Sequence, residues 1–255
     1  MKLVTYSNNG QPQLAFFIDG MLYDTNAANS QLPASIAQLL QNWETTIDAM
    51  KSTHDDIKNG KNPVQGKSFS DAAIMAPVPN PTSCRDGYAF RQHVAAARRN
   101  RNVEMIAEFD QYPIFYFTNH NAIQGPGPIP CMPDHFKKLD FELEAAIVIC
   151  KKGRNIKASE ADSYIGGYMI MNDMSARTLQ MEEMLLNLGP AKGKDFSTVI
   201  GPYFVTPDEL EKYITKAKPG HIGKSYNLEM VCRVNGIEVS RGNAADMDWT
   251  FAEIL

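Results

Sequence analysis

The stretch LDFELEAAIVI, residues 139–149, joins a row of acids to an apolar run. Its second half, Ala145 to Ile149, is a continuous apolar segment of strand length, which predicts a strand that enters the core. Asp140, Glu142 and Glu144 alternate through the stretch, and side chains two apart leave a strand on the same face. An unpaired carboxylate is costly to bury. The row therefore fits either a site for a divalent cation, which prefers oxygen ligands, or a solvated polar face.

The composition is that of an ordinary globular protein, with 44% hydrophobic and 21% charged residues among 255. The net charge of −4 gives no electrostatic footprint for nucleic acid or an anionic membrane, so neither is expected as a partner. The first residues contain no apolar leader, and no stretch approaches about 18 consecutive apolar residues, which predicts a cytoplasmic protein. The four cysteines form no CxxC pair, so reduced thiols are expected rather than a zinc site.

Turn signals divide the chain near residue 72. Asn9-Gly10 and Asp19-Gly20 predict two β-hairpin turns at the start of the chain. Apolar residues at helical spacing predict one helix within residues 32–52, and the polar, turn-rich residues 58–68 predict a linker. We therefore expect an N-terminal domain over 1–72 and a second region over 73–255. Strongly apolar segments such as PIFYF (113–117) are expected to lie in the core.

Asp86 and His93 form the first candidate pair in the second region. Asp86 is expected to cap a helix that begins at about Gly87, because its carboxylate can accept hydrogen bonds from free backbone N–H groups. His93 follows seven residues later, so two helical turns would return it to the same face. The two side chains could then face one cavity. The alternative is a capping acid beside an unrelated surface or core histidine.

A second candidate group follows a short apolar strand over residues 168–171. Asp173 is expected to cap the next helix, where Asp173, Arg177 and Gln180 would form one stripe at i, i+4 and i+7. An arginine in such a stripe offers a planar donor pair for a substrate carboxylate. The alternative is an ordinary Asp–Arg pair on a helix surface.

The segment LGPAKGKDF, residues 188–196, resembles a phosphate-binding loop but lacks its spacing and its hydroxyl residue after the lysine. A loop with Gly189, Pro190 and Gly193 that presents Lys194 still suits a small anionic ligand. The alternative is a flexible loop with an exposed lysine.

Four segments in this order resemble the fumarylacetoacetate hydrolase family. They are DGYxFRQH (86–93), DFELE (140–144), MNDxSARxxQ (171–180) and GKDF (193–196). The resemblance runs from about Pro77 to Leu255. It implies an α+β fold, in which a small N-terminal β/α domain precedes a mixed β-roll catalytic domain, and it makes a homodimer the expected assembly.

The resemblance also implies roles for individual residues. Asp86, Glu142, Glu144 and Asp173 match carboxylates that bind a divalent cation, with Mg²⁺ as first choice and Mn²⁺ or Ca²⁺ as alternatives. His93 matches the histidine that activates water, and Tyr88 matches a tyrosine near the substrate. Arg177, Gln180 and Lys194 match residues that hold the substrate and its developing negative charge.

The implied reaction is hydrolytic cleavage of a C–C bond in a 2,4-diketo acid such as an acylpyruvate or fumarylacetoacetate. The same ligands would serve a hydratase, a dehydratase or a decarboxylase on a related 2-oxo acid, or a metal-binding protein without catalysis.

Three features depart from the family pattern. Ala96 stands where smaller acylpyruvase-like members have a glutamate three residues after the histidine, so His93 requires another orienting acid. Asn119 stands near the position of a lysine found in many members. The final residues, DMDWTFAEIL, match a stretch that continues in family members, which predicts that the sequence is a piece of a longer protein.

Overall fold

The structure, a computed structural model, describes residues Met1–Leu255. The strands are β1 (Lys2–Asn8), β2 (Gln11–Ile18), β3 (Met21–Asp24), β4 (Lys67–Ser68), β5 (Cys84–Asp86), β6 (Tyr116–Thr118), β7 (Ile123–Gln124), β8 (Leu139–Ile149), β9 (Ile165–Ala176), β10 (Thr198–Ile200), β11 (Phe204–Val205), β12 (Ile214–Thr215), β13 (Ser225–Tyr226), β14 (Glu229–Val234) and β15 (Ile237–Asn243). The α-helices are α1 (Thr25–Ala28), α2 (Ile36–Gln41), α3 (Trp43–Lys58), α4 (Arg91–Arg99), α5 (Ala158–Ala161), α6 (Arg177–Met184), α7 (Pro207–Leu210) and α8 (Phe251–Ile254). None of these helices combines the length and the apolar character that a membrane span requires.

The predicted hairpins at the start of the chain are confirmed. Asn9 and Gly10 join β1 to β2, and Asp19 and Gly20 join β2 to β3, all four residues with positive φ. Asparagine, aspartate and glycine tolerate that backbone conformation, which matches the twist of the paired strands. The single helix predicted within residues 32–52 is instead two helices, α2 and α3, which meet at Asn42.

One nine-stranded sheet carries most of the fold, and it confirms the predicted α+β class. Its order is β4-β3-β2-β1-β11-β9-β10-β7, and β8 pairs with β9 as well. The β10–β7 pair is parallel and its other pairs are antiparallel, so the sheet is mixed. Leu3 of β1 lies opposite Phe204 of β11, so the sheet continues across the predicted boundary at 72/73. The division into domains 1–72 and 73–255 stays a prediction.

The main core lies where this sheet meets α2 and α3. It combines side chains from the first strands and helices, such as Phe16, Leu39 and Met50, with Met171 and Phe204 from the second region. Apolar side chains from both regions are thus removed from water together, which stabilises their association.

The β8–β9 ladder is the longest pairing in the sheet and sets the position of the acidic row. Glu142 lies opposite Asp173 and Glu144 opposite Met171 in antiparallel register. Directly opposed residues of an antiparallel pair project to the same side of the sheet. The ladder therefore brings Asp173 to the face that already carries Glu142 and Glu144.

Gly167 in β9 offers a test of the core packing. A Cβ at this position would overlap the ring of Phe204, which is fully buried. We expect Gly167→Ala to lower the free energy of unfolding by about 1–3 kcal/mol, because the ring cannot move without disturbing its neighbours. Urea denaturation followed by circular dichroism measures the change.

The matched control is Gly242→Ala in β15, where the nearest neighbour of an added Cβ is the Gln92 side chain at 4.0 Å. Its stability should stay within about 0.5 kcal/mol of the parent protein. Equal stability of the two variants would contradict the packing described for β9 and β11.

Candidate active site

Three carboxylates from different parts of the chain converge beside the β8–β9 ladder. Oxygen atoms of Asp86, Glu144 and Asp173 all lie within 4.8 Å of one another. Asp173 is buried, and Asp86 and Glu144 are largely shielded from solvent. The structure thus brings together three of the four predicted metal ligands.

Asp86 reaches this cluster from a strand and not from a helix cap. It is the last residue of β5, which pairs with β6 in a separate two-stranded sheet. The helix predicted to begin at about Gly87 begins at Arg91, so the capping role predicted for Asp86 is wrong. Asp86 pairs with Tyr116 of β6, and its carboxylate lies beside that of Asp173.

Tyr116 is a residue of this site that the sequence analysis missed. It lies opposite Asp86 in the β5–β6 pair, and its hydroxyl donates to Asp86 Oδ2 at 3.2 Å and to Asp173 Oδ2 at 3.4 Å. The expectation that PIFYF (113–117) lies in the core is wrong, because Phe117 is 67% exposed. The alternation of the strand puts Tyr116 towards the acids and its neighbours outward, which is the signal that could have identified it.

The electrostatics of the three acids favour a bound cation. Burial raises the pKa of Asp173 to about 7, although the Lys194 ammonium opposes the shift. Burial also raises the pKa values of Asp86 and Glu144, and for Glu144 the neighbouring Asp86 and Asp173 carboxylates add to the shift. Asp173 Oδ1 is buried with no hydrogen-bond partner in the protein. An oxygen-only donor set with one free buried oxygen fits a hard divalent cation.

Glu142, the fourth predicted ligand, is engaged with cationic side chains. Its Oε1 lies 2.7 Å from Arg177 Nη1 and 3.1 Å from Lys194 Nζ. Burial raises the pKa of Glu142, but Lys194 and Arg177 outweigh it and hold the pKa below its ordinary value. Glu142 therefore stays ionised and links the acidic cluster to the cations beside it.

Lys194 is buried between two carboxylates. It is 4% exposed, and its ammonium contacts Glu142 and Asp173. Burial alone would lower the pKa of Lys194, but Asp173 and Glu142 raise it above its ordinary value. The alternative of a flexible, exposed lysine is therefore wrong. Gly193 permits this placement, since a Cβ there would lie 2.6 Å from the backbone nitrogen of Gln180.

Arg177 and Gln180 lie together on the first turns of α6. Arg177 Nη1 donates to Gln180 Oε1 at 3.0 Å, and its Nε donates to Asp140 Oδ2 at 2.8 Å. The predicted helical stripe that included Asp173 is wrong, because β9 continues to Ala176 and α6 begins only at Arg177. Asp173 reaches the same site from within the strand.

His93 lies on the more open side of the site, whereas Tyr88 is exposed and contacts Phe109. His93 is the third residue of α4, and its Nε2 lies 3.7 Å from Glu142 Oε2 with the side chain 45% exposed. The Tyr88 ring stacks on Phe109 at a centroid distance of 6.1 Å. His93 thus shares Glu142 with Arg177 and Lys194.

The chain is similar in sequence to a mitochondrial enzyme. The mitochondrial oxaloacetate tautomerase fahd2 of Xenopus laevis is 29% identical to this chain over 259 residues, which cover 97% of this chain and 71% of that protein.

Solved structures share the fold. Maleylpyruvate hydrolase from Sphingobium sp. SYK-6, in complex with manganese(II) and pyruvate, aligns with a TM-score of 0.67 and 18% identity over 97% of this chain and 78% of its own. The 5-carboxymethyl-2-hydroxymuconate delta-isomerase of Mycobacterium smegmatis aligns with a TM-score of 0.64 and 19% identity over 100% of this chain and 80% of its own. At such identities the likeness shows a common fold.

The sequence itself shows the family. Residues 82–255 match the family model described as the fumarylacetoacetate (FAA) hydrolase C-terminal domain, and every predicted site residue falls within that range. The chain belongs to the fumarylacetoacetate hydrolase family.

Proposed function

We propose that the protein is a divalent-cation-dependent enzyme that hydrolyses a C–C bond in a small 2,4-diketo acid such as an acylpyruvate. One observation carries the proposal: Asp86, Glu144 and Asp173 converge, with an unpartnered oxygen on Asp173, directly beside Lys194. A site for a hard cation next to fixed positive charge suits a substrate whose carboxylate and 2-oxo group lie side by side.

The charge balance supports a cation. Asp140, Glu142 and the three clustered acids are five carboxylates that face only two permanent cations, Arg177 and Lys194. Asp86, Glu144 and Asp173 would hold the added ion, with Glu142 close by as the fourth predicted ligand. A divalent cation supplies Lewis-acid polarisation of the 2-oxo group when it is bound. Mg²⁺ and Mn²⁺ both suit such ligands, and the Sphingobium relative was solved with manganese(II).

His93 has the position for a general base. Its exposed imidazole can take a proton from water, which generates the nucleophile for the distal carbonyl. Glu142 Oε2, 3.7 Å from Nε2, is held ionised and stabilises the imidazolium that forms. Glu142 is thus the acid that lies beside His93, where position 96 offers only alanine.

Arg177, Gln180 and Lys194 would bind and stabilise the substrate. Water adds to the C4 carbonyl, the C3–C4 bond breaks, and its electron pair stays on C3 as the enolate of a 2-oxo acid. The Lys194 ammonium, kept protonated by Asp173 and Glu142, can donate to the enolate oxygen. The proton that His93 took up can then return to C3, which yields a 2-oxo acid and a second carboxylic acid.

A tautomerase is the second candidate, favoured by the 29% identity to the Xenopus oxaloacetate tautomerase. The same imidazole would then move a proton between C3 and the enol oxygen without adding water to a carbonyl. Both reactions pass through an enolate beside Lys194, so the residues of the site serve either one.

Substrate tests separate the two candidates. The protein with MnCl₂ is incubated with acetylpyruvate, and released pyruvate is measured with lactate dehydrogenase. The conversion of enol to keto oxaloacetate is followed in parallel by ultraviolet absorbance. Pyruvate release supports hydrolysis, and fast tautomer conversion without pyruvate release supports the tautomerase. Absence of both activities on a series of 2-oxo acids would refute both candidates.

A homodimer and a cytoplasmic location stay predictions.

His93→Ala tests the assigned base. We expect turnover to fall by at least about 100-fold, since general-base catalysis contributes on that order, while Mn²⁺ affinity is unchanged. His120→Ala, which removes a histidine whose side chain makes no hydrogen bond or ion pair, is the matched control and should keep full activity. Initial rates and calorimetric Mn²⁺ titration measure both, and full activity in His93→Ala would refute the role.

Asp86→Asn tests the cation site. Replacing one charged oxygen of three should weaken Mn²⁺ binding by at least about tenfold, because the amide is a poorer ligand for a hard cation. Asp140→Asn removes an acid from the same face of β8 that lies outside the cluster and should change Mn²⁺ affinity by less than about threefold. Equal loss in the two variants would contradict the assignment of the ligands.

The pH dependence of Mn²⁺ binding follows from the raised pKa of Asp173. The group must lose its proton to bind a cation, so affinity should fall as pH drops below about 7, by up to about tenfold per unit, and level off above it. In the metal-free protein, the contribution of Asp173 to folding stability instead decreases as pH rises. Folding raises its pKa from 3.8 to about 7, so its contribution to stability is present below 3.8 and lost as pH rises through 7.

Thermal melts at pH 6 and pH 8, with and without MnCl₂, measure the combined effect. The increase in melting temperature on adding Mn²⁺ should be larger at pH 8. Asp173→Asn should reduce the difference between the two pH values, because only Asp86 and Glu144 then titrate at the site. An equal Mn²⁺ effect at both pH values in the parent protein would contradict the raised pKa.

A further inference from the structure

Tyr88 and His93 lie on one turn, residues 88–93, in which no side chain caps the start of helix α4. Helix α4 begins at Arg91, and the residue before it, Phe90, has no side chain that can cap the helix. The first N–H groups of a helix lack intrahelical partners and need an acceptor from elsewhere. The orientation of His93 on the first turn of α4 therefore depends on what contacts this turn from outside.

The segment Asp246–Trp249, here called the clamp segment, supplies that contact. Asp248 Oδ2 accepts the backbone N–H of Arg91 at 2.7 Å, so its carboxylate caps α4 across a sequence separation of 157 residues. The backbone N–H of Asp248 donates to the carbonyl oxygen of Ala89 at 2.7 Å. One residue thus holds the turn on both sides of Phe90. A carboxylate at a helix N-terminus also interacts favourably with the helix dipole.

Lys218 fixes the orientation of Asp248. Its Nζ lies 2.9 Å from Asp248 Oδ1 and donates to the carbonyl oxygen of Asp246 at 2.7 Å. The Asp248 side chain is only 17% exposed. With one oxygen on Lys218 and the other on Arg91, the carboxylate has a defined place between the clamp segment and α4.

Trp249 extends the contact to Tyr88. Its indole Nε1–H donates to the carbonyl oxygen of Phe109 at 2.7 Å, and the ring of Phe109 stacks on Tyr88. The Arg91 guanidinium lies over the same Phe109 ring, 5.2 Å from its centroid. The clamp segment therefore contacts the supports of both site residues on this turn.

We infer that Asp248 is a positioning residue that sets the placement of His93 against Glu142. The inference rests on the function proposed above, because it assigns His93 a catalytic task. Asp248 contacts neither the acidic cluster nor the cations of the site, so its side chain acts on His93 through the N-terminus of α4. A small displacement of a catalytic base lowers the rate of the chemical step without changing how the substrate or the cation is held.

The test compares three variants at matched Mn²⁺ concentration. Asp248→Ala should lower kcat by about tenfold, with KM and Mn²⁺ affinity within about twofold of the parent protein. Asp248→Asn should retain more activity than Asp248→Ala, since its amide oxygen can still accept from Arg91 although the contact with Lys218 is lost. Asp246→Ala is the matched control, because the structure uses only the backbone carbonyl of Asp246, and it should keep the parent kcat.

Amide hydrogen exchange gives a readout independent of activity. In Asp248→Ala, exchange should become faster at residues 89–94 and stay unchanged in the β8–β9 ladder. If the parent protein turns over no 2-oxo acid, the proposed function fails, and the exchange pattern alone decides whether Asp248 holds the turn. Unchanged exchange at residues 89–94 would overturn the inference. A fall in Mn²⁺ affinity or a rise in KM as large as the fall in kcat would overturn it as well.

Discussion

The antiparallel register of β8 and β9 is the constraint on which the site depends. It places Glu142 opposite Asp173 on the face that also carries Glu144. A shift of one residue would turn the acids of β8 to the other face of the sheet, away from Asp86 and Lys194. The apolar side chains of the same strands, which join the main core, fix that register through burial.

This register concentrates negative charge, and the rest of the site offsets it. Lys194 is stable in a buried position because it forms ion pairs with Glu142 and Asp173. Arg177 forms ion pairs with Asp140 and Glu142 and so neutralises the outer end of the acidic row. Removing one partner of such a buried group leaves an uncompensated charge, which is more costly than the pair is stabilising. A cation beside Asp86, Glu144 and Asp173 would complete the compensation that the two side chains begin.

The sequence predicted the parts of the site that follow from strand periodicity, and it failed where strand pairing overrides helix capping. The period-two row of β8 was read correctly because alternation is a local property. Asp86 and Asp173 each precede a helix, which predicts helix caps, yet both lie in strands whose partners come from distant segments. Tyr116 was missed for the same reason, since its role exists only through its pairing with Asp86. The hairpins of the N-terminal strands, whose turns are encoded within two residues, were predicted in full.

The three clustered acids come from two sheets, which links the proposed cation site to the turn that carries Tyr88 and His93. Asp86 belongs to the β5–β6 pair, whereas Glu144 and Asp173 belong to the large sheet, and the Tyr116 hydroxyl is the hydrogen-bonding bridge between them. Gly87 follows Asp86 directly, and a Cβ there would overlap the carbonyl oxygen of Ile114, so the chain passes close to the residues that precede β6 before it reaches Tyr88 and His93. A cation that binds all three acids would hold the two sheets together. It would thereby also anchor the start of the turn that the clamp segment holds at its other end.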